Sequence, residues 1–356
     1  MAFTADEIAN INNSVLEHYI DKGKVFAQNI QNKPLLKAFN ARAGSFPGGN
    51  QTVSLGVKSG QGGLALAGYT GDDQLNFGTL AGNKRARFTW REHHMGYKLT
   101  HTELKIDGIN VVEDGSDQSN NDMSGREEHA LANLLENKNE DMGEDYNVGL
   151  NNLLHGDGTA DAKALAGIAS LILENPAVGS TGGLSRVANS WWRNRALTTA
   201  AGSAVTVNAA AGGALITALD KEFRQLGRYS NGLENIMCFA GSDFIEGYKK
   251  ELRSNGYYSQ DMSKDDNTPD GSMKDPSHGG KSIVYDPWYD DNSKSKFMHA
   301  IDMSKNGIRM LYMDGNRLKR HNPARPYDRL VQYNGITMTG VLFAKRLNSS
   351  GVYEIA

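Results

Sequence analysis

Residues 46–91 read FPGGNQTVSLGVKSGQGGLALAGYTGDDQLNFGTLAGNKRARFTWR. Ten glycines fall between Phe46 and Asn83. The entry arm, Thr52-Val53-Ser54-Leu55-Gly56-Val57, alternates apolar with polar side chains, and so does the return arm, Arg85-Ala86-Arg87-Phe88-Thr89-Trp90-Arg91. A period of two belongs to a strand, so the stretch is predicted to be a long β-hairpin with a glycine-rich tip. Loops of this length in compact domains are usually functional or disordered, and a two-stranded arm is marginal alone. The hairpin is therefore expected to leave the body and pack mainly on another copy of the chain. Its tip, residues 59–82, is expected to make few contacts with its own chain. Leu64, Leu66, Leu75 and Phe77 are accordingly placed outside the core of their own subunit.

Working outward, Thr4 followed by Glu7 is a capping-box spacing that opens a predicted helix over residues 4–28, and a second helix is predicted over 34–41. A strand is expected over 97–107 and a polar, acidic loop over 113–122. Ser124-Gly125-Arg126-Glu127 is another capping box. It opens the longest helical pattern of the chain, with Leu131, Leu134, Leu135, Met142, Tyr146, Leu150, Leu153 and Leu154 on one face and Gly156 as the stop. A helix over 124–155 is about 45 Å long at ~1.5 Å per residue. It carries Glu127, Glu128, Glu136, Glu140, Asp141, Glu144 and Asp145 against Arg126 and Lys138, a net charge of −5. Helices are further expected over 214–227 and 242–254, an exposed loop over 255–280, and strands over 282–285, 297–301, 307–313 and 328–345. Strands and helices do not alternate as βαβ units, so the class is α+β.

The chain has 356 residues, 39% hydrophobic and 22% charged, with a formal net charge of −3. That is ordinary for a folded domain and offers no global field for nucleic acid or an anionic membrane. The single cysteine, Cys238, lies in the apolar run Ile236-Met237-Cys238-Phe239-Ala240 and is expected to be a buried, inert thiol. Residues 1–10 lack an apolar signal core, and no run approaches the ~18 apolar residues of a membrane span. The expectation is a soluble product of a reducing compartment, without an export address or a membrane partner.

Residues able to carry chemistry do not assemble into a site. Gly279-Gly280-Lys281-Ser282 looks like the end of a phosphate-binding loop, but Asp275 stands where that motif needs glycine, and a strand pattern follows where it needs a helix. His93, His94, His101 and Glu103 lack metal-ligand spacing, and His18, His129 and His155 are lone histidines in helical context. The pairs Asp72-Asp73, Glu140-Asp141 and Asp290-Asp291 fall in loops or on a helix face, not in a cleft that would separate their pKa values. No enzyme activity, cofactor or metal site is expected. Trp191 and Trp192, read as neighbours on a strand, point to opposite faces: one core and one interface, or both core.

The order of these segments resembles the major capsid protein of tailed double-stranded DNA phages, of the Hong Kong 97 type. The likeness rests on the hairpin, the long helix, Gly182-Gly183-Leu184-Ser185-Arg186 with Asn189-Ser190-Trp191-Trp192-Arg193-Asn194, residues 279–286 with their Tyr-Asp-Pro turn, and the closing Tyr327-Asp328-Arg329 and Ile336-Thr337-Met338-Thr339-Gly340. The resemblance implies an N-terminal arm over 1–45, an extended β-hairpin loop over 46–91, a peripheral domain over 92–178 and 321–356 that includes a spine helix over 124–155, and an axial domain over 179–320. It implies self-assembly into pentamers and hexamers of an icosahedral head shell in the virion, built in the host cytoplasm around double-stranded DNA that is held without sequence-specific contacts. Near-neutral charge suits such a container. About 45 residues before the hairpin are too few for a built-in scaffolding segment, which implies a separate scaffolding protein or none. Portal and head-decoration proteins are the other implied partners. An encapsulin-type nanocompartment shell holding a protein cargo resembles the same fold and is the alternative.

Charge adds one expectation about sites. Lys84, Arg85, Arg87 and Arg91 crowd the return arm, whereas the long helix is acidic. Either both are solvated faces, or, since opposed charges steer association and fix register, the basic arm of one subunit lies over the acidic helix of its neighbour, with Glu136 and Glu140 as acceptors.

Overall fold

The computed structural model describes residues 31–48, 50–59, 66–74, 77, 83–106, 125–207, 213–230, 232–254, 276–321 and 331–356. The helix expected over 4–28, the acidic loop over 113–122, Leu64, Leu75, His18 and most of the loop over 255–280 lie outside these residues, as does the side chain of His129. In chain order the elements are α1 (Pro34–Arg42), β1 (Gly44–Phe46), β2 (Thr52–Val57), β3 (Lys84–Thr89), β4 (Arg91–Thr100), α2 (His101–Ile106), α3 (Gly125–His155) and α4 (Ile168–Leu171). There follow β5 (Ser180–Thr181), β6 (Leu184–Ser185), a 3-10 turn (Ser190–Trp192), β7 (Arg195–Leu197), α5 (Ala214–Ser230), β8 (Ile236–Ala240), α6 (Ser242–Ser254), β9 (Ser277–His278) and β10 (Lys281–Tyr285). The chain closes with α7 (Pro287–Asp291), β11 (Phe297–Asp302), β12 (Ile308–Met313), β13 (Lys319–His321), β14 (Val331–Ala344) and β15 (Gly351–Glu354). Contacts group these into two compact units, one comprising Asn32–His93, Leu150–Arg317 and Thr339–Ala356, the other including His94–Gly149 and Leu318–Met338.

The first unit is built on a six-stranded sheet in the order β7-β15-β11-β8-β10-β9. Its central strand β8 is an apolar run, which is why it can be covered on both faces; Ile236, Cys238 and Ala240 are buried in the core. Leu215, Leu219, Phe223 and Leu226, spaced along one stripe of α5, and Phe244, Ile245 and Tyr248 of α6 pack on the sheet. Glu251 on α6 is wholly buried, and its two carboxylate oxygens accept from the backbone N–H groups of Leu215 and Ile216 at 3.0 and 3.1 Å. It thus satisfies the first turn of α5, whose N–H groups have no partner within the helix. Burial pushes the Cys238 thiol up to about 12, so it stays protonated and inert as expected. A second sheet in this unit runs β1-β12-β14, with β1 parallel to β12 and residues 340–344 of β14 antiparallel to it.

In the second unit, β4 and β13 both pair with β14. Gly96 approaches so closely that a Cβ there would stand 2.7 Å from the carbonyl oxygen of Asn334. Tyr97 ties this sheet to α3: its hydroxyl donates to Asn139 Oδ1 at 3.0 Å and accepts from Asn334 Nδ2 at 3.2 Å. Tyr146 on α3 reaches Met338 Sδ at 2.9 Å. The predicted long helix is present and ends at His155, where Gly156 leaves the helical path.

Three expectations are corrected. The strand expected over 97–107 stops at Thr100 and gives way to α2. Thr100 Oγ1 accepts from the Glu103 N–H at 3.3 Å, so Thr100-His101-Thr102-Glu103 is a further capping box that switches the chain from strand to helix. The two tryptophans lie on a 3-10 turn, not on a strand: Trp192 is buried with its indole N–H on the Thr181 carbonyl at 3.1 Å, while Trp191 is half-exposed. The last part of the loop expected over 255–280 is β9, an edge strand of the six-stranded sheet with His278 buried. Gly279 and Gly280, both at positive φ, make the tight turn into β10, a strand in the place where a phosphate-binding loop would need a helix.

Candidate intersubunit surface on the hairpin stem

The stem of the hairpin is the antiparallel ribbon β2–β3, in register from Thr52 opposite Thr89 to Val57 opposite Lys84. Alternation divides β3 into two faces. Ala86 and Phe88 are buried, whereas Arg85, Arg87 and Thr89 are exposed. The buried face rests on the turn at Gly182 of its own chain. The Arg87 N–H donates to the Gly182 carbonyl at 2.9 Å. Gly182 is at φ +60°, and a Cβ there would stand 3.1 Å from both Ala86 Cβ and Phe88 Cζ. Only glycine meets both demands, a left-handed backbone and a close approach. The base of the ribbon is therefore seated on its own subunit, a contact not foreseen in the expectation that the hairpin packs mainly on a neighbour. Beyond the stem, the described tip residues make little contact with their own chain: Leu66 is 104% exposed, Tyr69 70% and Phe77 88%.

Arg186 holds this seat together. Its side chain is wholly buried, with Nε on Thr181 Oγ1 at 2.9 Å, one terminal nitrogen on Asn194 Oδ1 at 2.5 Å and the other on the Leu171 carbonyl at 2.6 Å. No carboxylate is among these partners, and burial, with the charge of Arg193 acting the same way, pushes its pKa down to about 10. The guanidinium is still charged at neutral pH and is stabilised by fixed dipoles alone. The glycine, arginine, asparagine and tryptophan motif of residues 182–194 thus has a physical reading: two glycines form the turn between β5 and β6, Arg186 and Asn194 pin it, and Trp192 is its floor.

The four cations expected on the return arm separate by environment. Lys84 Nζ donates to Asn189 Oδ1 and is spent within the subunit. Arg91, at the foot of the ribbon, helps line an open cleft of about 700 Å³ with Trp90, Glu92, Lys163 and Thr339. Arg85 and Arg87 stand exposed on the outer face and form no ion pair among the described residues. On the acidic helix the Glu136 side chain lies outside the described residues, and Glu140 is exposed but already engaged in its own chain. Asp141 and Asp145, which the expectation passed over as acceptors, are exposed.

Among the described residues, no group of three potential metal ligands is found. His93 is pushed down mainly by burial, with Asp161 opposing and Arg91 adding to the shift. His155 is buried at the end of α3, its Nε2 3.2 Å from Asp286 Oδ2 and its ring stacked 4.1 Å from Trp288. Asp286 in turn caps α7, accepting from the Trp288 N–H at 3.1 Å. These contacts lock an element end in place. No helix among the described residues is long and apolar enough to cross a membrane.

The chain aligns with solved structures. The capsid subunit of cyanophage A-1(L) aligns over 93% of this chain and 96% of its own, with a TM-score of 0.64 at 16% identity. The chain has the Hong Kong 97-type fold. The capsid of the native GTA particle follows at 0.53 and 12% identity, over 94% of this chain and 93% of that one. The capsid of Myoviridae phage XM1 aligns at 0.52 and 11% identity, over 94% and 95%. At such identities the shared property is the Hong Kong 97-type fold. The SrpI encapsulin of Synechococcus elongatus aligns at 0.47 and 8% identity, which supports no argument for the alternative shell class. No family model matches the chain, and no curated protein matches it in sequence.

Proposed function

We propose that this chain is the major capsid protein of a tailed phage, a structural subunit that self-assembles into pentamers and hexamers of an icosahedral head. The observation that carries the proposal is the alignment of nearly the whole chain with a phage capsid subunit over nearly all of that subunit's length. In this reading residues 1–45 are the arm, 46–91 the extended loop, 92–178 with 321–356 the peripheral domain around the spine helix, and 179–320 the axial domain. The hairpin supports it independently. Leu66, Tyr69 and Phe77 stand in water in a single subunit, an arrangement that calls for a covering partner. A ring of identical subunits, each offering its hairpin to the next, supplies that cover by a heterologous contact that closes.

The shell would enclose double-stranded DNA without reading its sequence, with a separate scaffolding protein or none, would offer sites to portal and decoration proteins, and would reside in the virion after assembly in the host cytoplasm. Size-exclusion chromatography of the purified protein tests the reading. The expected result is capsomers or shells in the void region. A concentration-independent monomer would contradict it. Nuclease-protected DNA in particles recovered from infected cells distinguishes a phage head from a nanocompartment carrying protein cargo.

A further inference from the structure

We infer that Arg85 and Arg87 on the hairpin stem of one copy clamp Asp141 and Asp145 on the long helix of a second copy. The inference rests on the shell-subunit reading and names the partner surface of the hairpin within it.

Both halves of the clamp are built on rigid elements. Arg85 and Arg87 are two residues apart on β3, so they project from the same face about 6.7 Å apart. Opposite them on β2 stand Gly56 and Ser54, and a Cβ added at Gly56 would meet nothing within 4 Å. The outer face of the ribbon is therefore flat around the two guanidinium groups, and a helix can approach it closely. Asp141 and Asp145 are four residues apart on α3, so they lie on one face about 6 Å apart along the axis. Val148, three residues further on, shares that face and is 45% exposed. The opposite face is the one that turns inward, with Leu150 and Leu154 buried and Tyr146 on Met338. The spacing of the cations on the strand thus matches the spacing of the anions on the helix.

The selection of these four residues follows from what the others already do. Lys84 is bound to Asn189, and Arg91 lies at the foot of the ribbon beside the cleft. Glu140 and Glu144 are engaged within their own chain. Arg85, Arg87, Asp141 and Asp145 are exposed and have no ion-pair partner among the described residues. Arginine suits the task because its planar fork takes a carboxylate through two parallel hydrogen bonds. Phosphate is the competing anion for two such arginines. The helix of a second copy is favoured because its carboxylates stand at the matching interval and are repeated in every subunit.

The test is charge exchange in the full-length chain. Wild-type protein is first shown by electron microscopy to assemble; failure at this step refutes the shell reading and not the clamp. Arg85→Glu with Arg87→Glu should then lower the assembled fraction about tenfold or more at low salt. Asp141→Lys with Asp145→Lys should do the same. The quadruple exchange should restore assembly, and mixing the two double variants should restore it in part, since every contact between unlike variants then pairs opposite charges while contacts between like variants still repel. Circular dichroism melts check that each double variant is folded; if one is not, the salt dependence of wild-type assembly against Arg85→Ala with Arg87→Ala provides the second reading, the clamp requiring a weaker dependence in the variant. Assembly of the arginine variant at the wild-type level, or a quadruple exchange that stays unassembled while folded, overturns the inference. Normal shells that fail to retain DNA also overturn it and assign the two arginines to phosphate.

Discussion

Replacement of Gly182 by alanine tests whether the hairpin is seated on its own subunit as described. Two costs are separable. The first is conformational: φ of +60° at Gly182 is left-handed backbone, which costs an L-residue about 1–2 kcal/mol. The second is steric: the new Cβ would stand 3.1 Å from Ala86 Cβ and from Phe88 Cζ, and overpacking of this kind costs typically ~1–3 kcal/mol. The adjacent Gly183 is the internal control. It is also left-handed, at φ +77°, but a Cβ there meets nothing within 4 Å, so Gly183→Ala should show the first cost alone. Gly182→Ala is therefore expected to lose about 2–5 kcal/mol and Gly183→Ala about 1–2 kcal/mol, each measured by urea unfolding of unassembled protein. Native-state hydrogen exchange gives the local readout, because the Arg87 N–H donates to the Gly182 carbonyl. That amide should lose protection in Gly182→Ala and retain it in Gly183→Ala. Equal destabilisation in both variants, with the Arg87 amide unchanged, would refute the seating of the ribbon on this turn.

Further expectations follow from the same geometry. Arg186→Met removes the donor shared by Thr181 Oγ1, Asn194 Oδ1 and the Leu171 carbonyl; a loss of about 3–5 kcal/mol is expected in urea, and Arg186→Lys should not rescue it, since an ammonium lacks the rigid fork. His155, His278 and His299 are held below their ordinary value chiefly by burial, His299 down to about 3. A lowered folded value means that the stability they support is full above the unfolded value near 6.5 and falls as pH drops towards the folded value; for His299 the loss is about 2 kcal/mol at pH 5. Urea unfolding at pH 7 and pH 5 measures this, and His299→Gln should flatten the slope. Leu66→Asp with Phe77→Asp should change monomer stability by no more than about 0.5 kcal/mol, because both side chains are exposed, yet it should block assembly in a sedimentation assay.

Much of the architecture is legible in local pattern. The two hairpin arms alternate with period two and pair in register from Thr52 to Val57. The long helix is announced by its stripe of leucines and its glycine stop. The apolar run around Cys238 is a central strand. Where reading fails, a local rule was overridden or overlooked. The capping box at Thr100 and Glu103 was available in the sequence and marks the helix that a strand expectation missed. The 3-10 turn at Trp191 and Trp192 was not available, because it depends on Asn194 binding Arg186, and on Trp192 reaching Thr181.

The candidate surface divides in the same manner. A cluster of cations can be read from sequence, but which of them are already engaged depends on partners far along the chain, as Lys84 and Asn189 show across 105 residues. Sheet order is likewise set by distant pairings, such as β7 with β15 through Arg195 and Gly351. No periodicity encodes such pairings.

The central claim, that this chain is a shell subunit whose hairpin is covered by a neighbour, is tested most directly by cryo-electron microscopy of the purified, concentrated protein. The account predicts closed icosahedral particles in which Leu66 and Phe77 of each subunit are buried against the next copy. A solution of separate monomers, or shells in which both side chains remain in solvent, would contradict it.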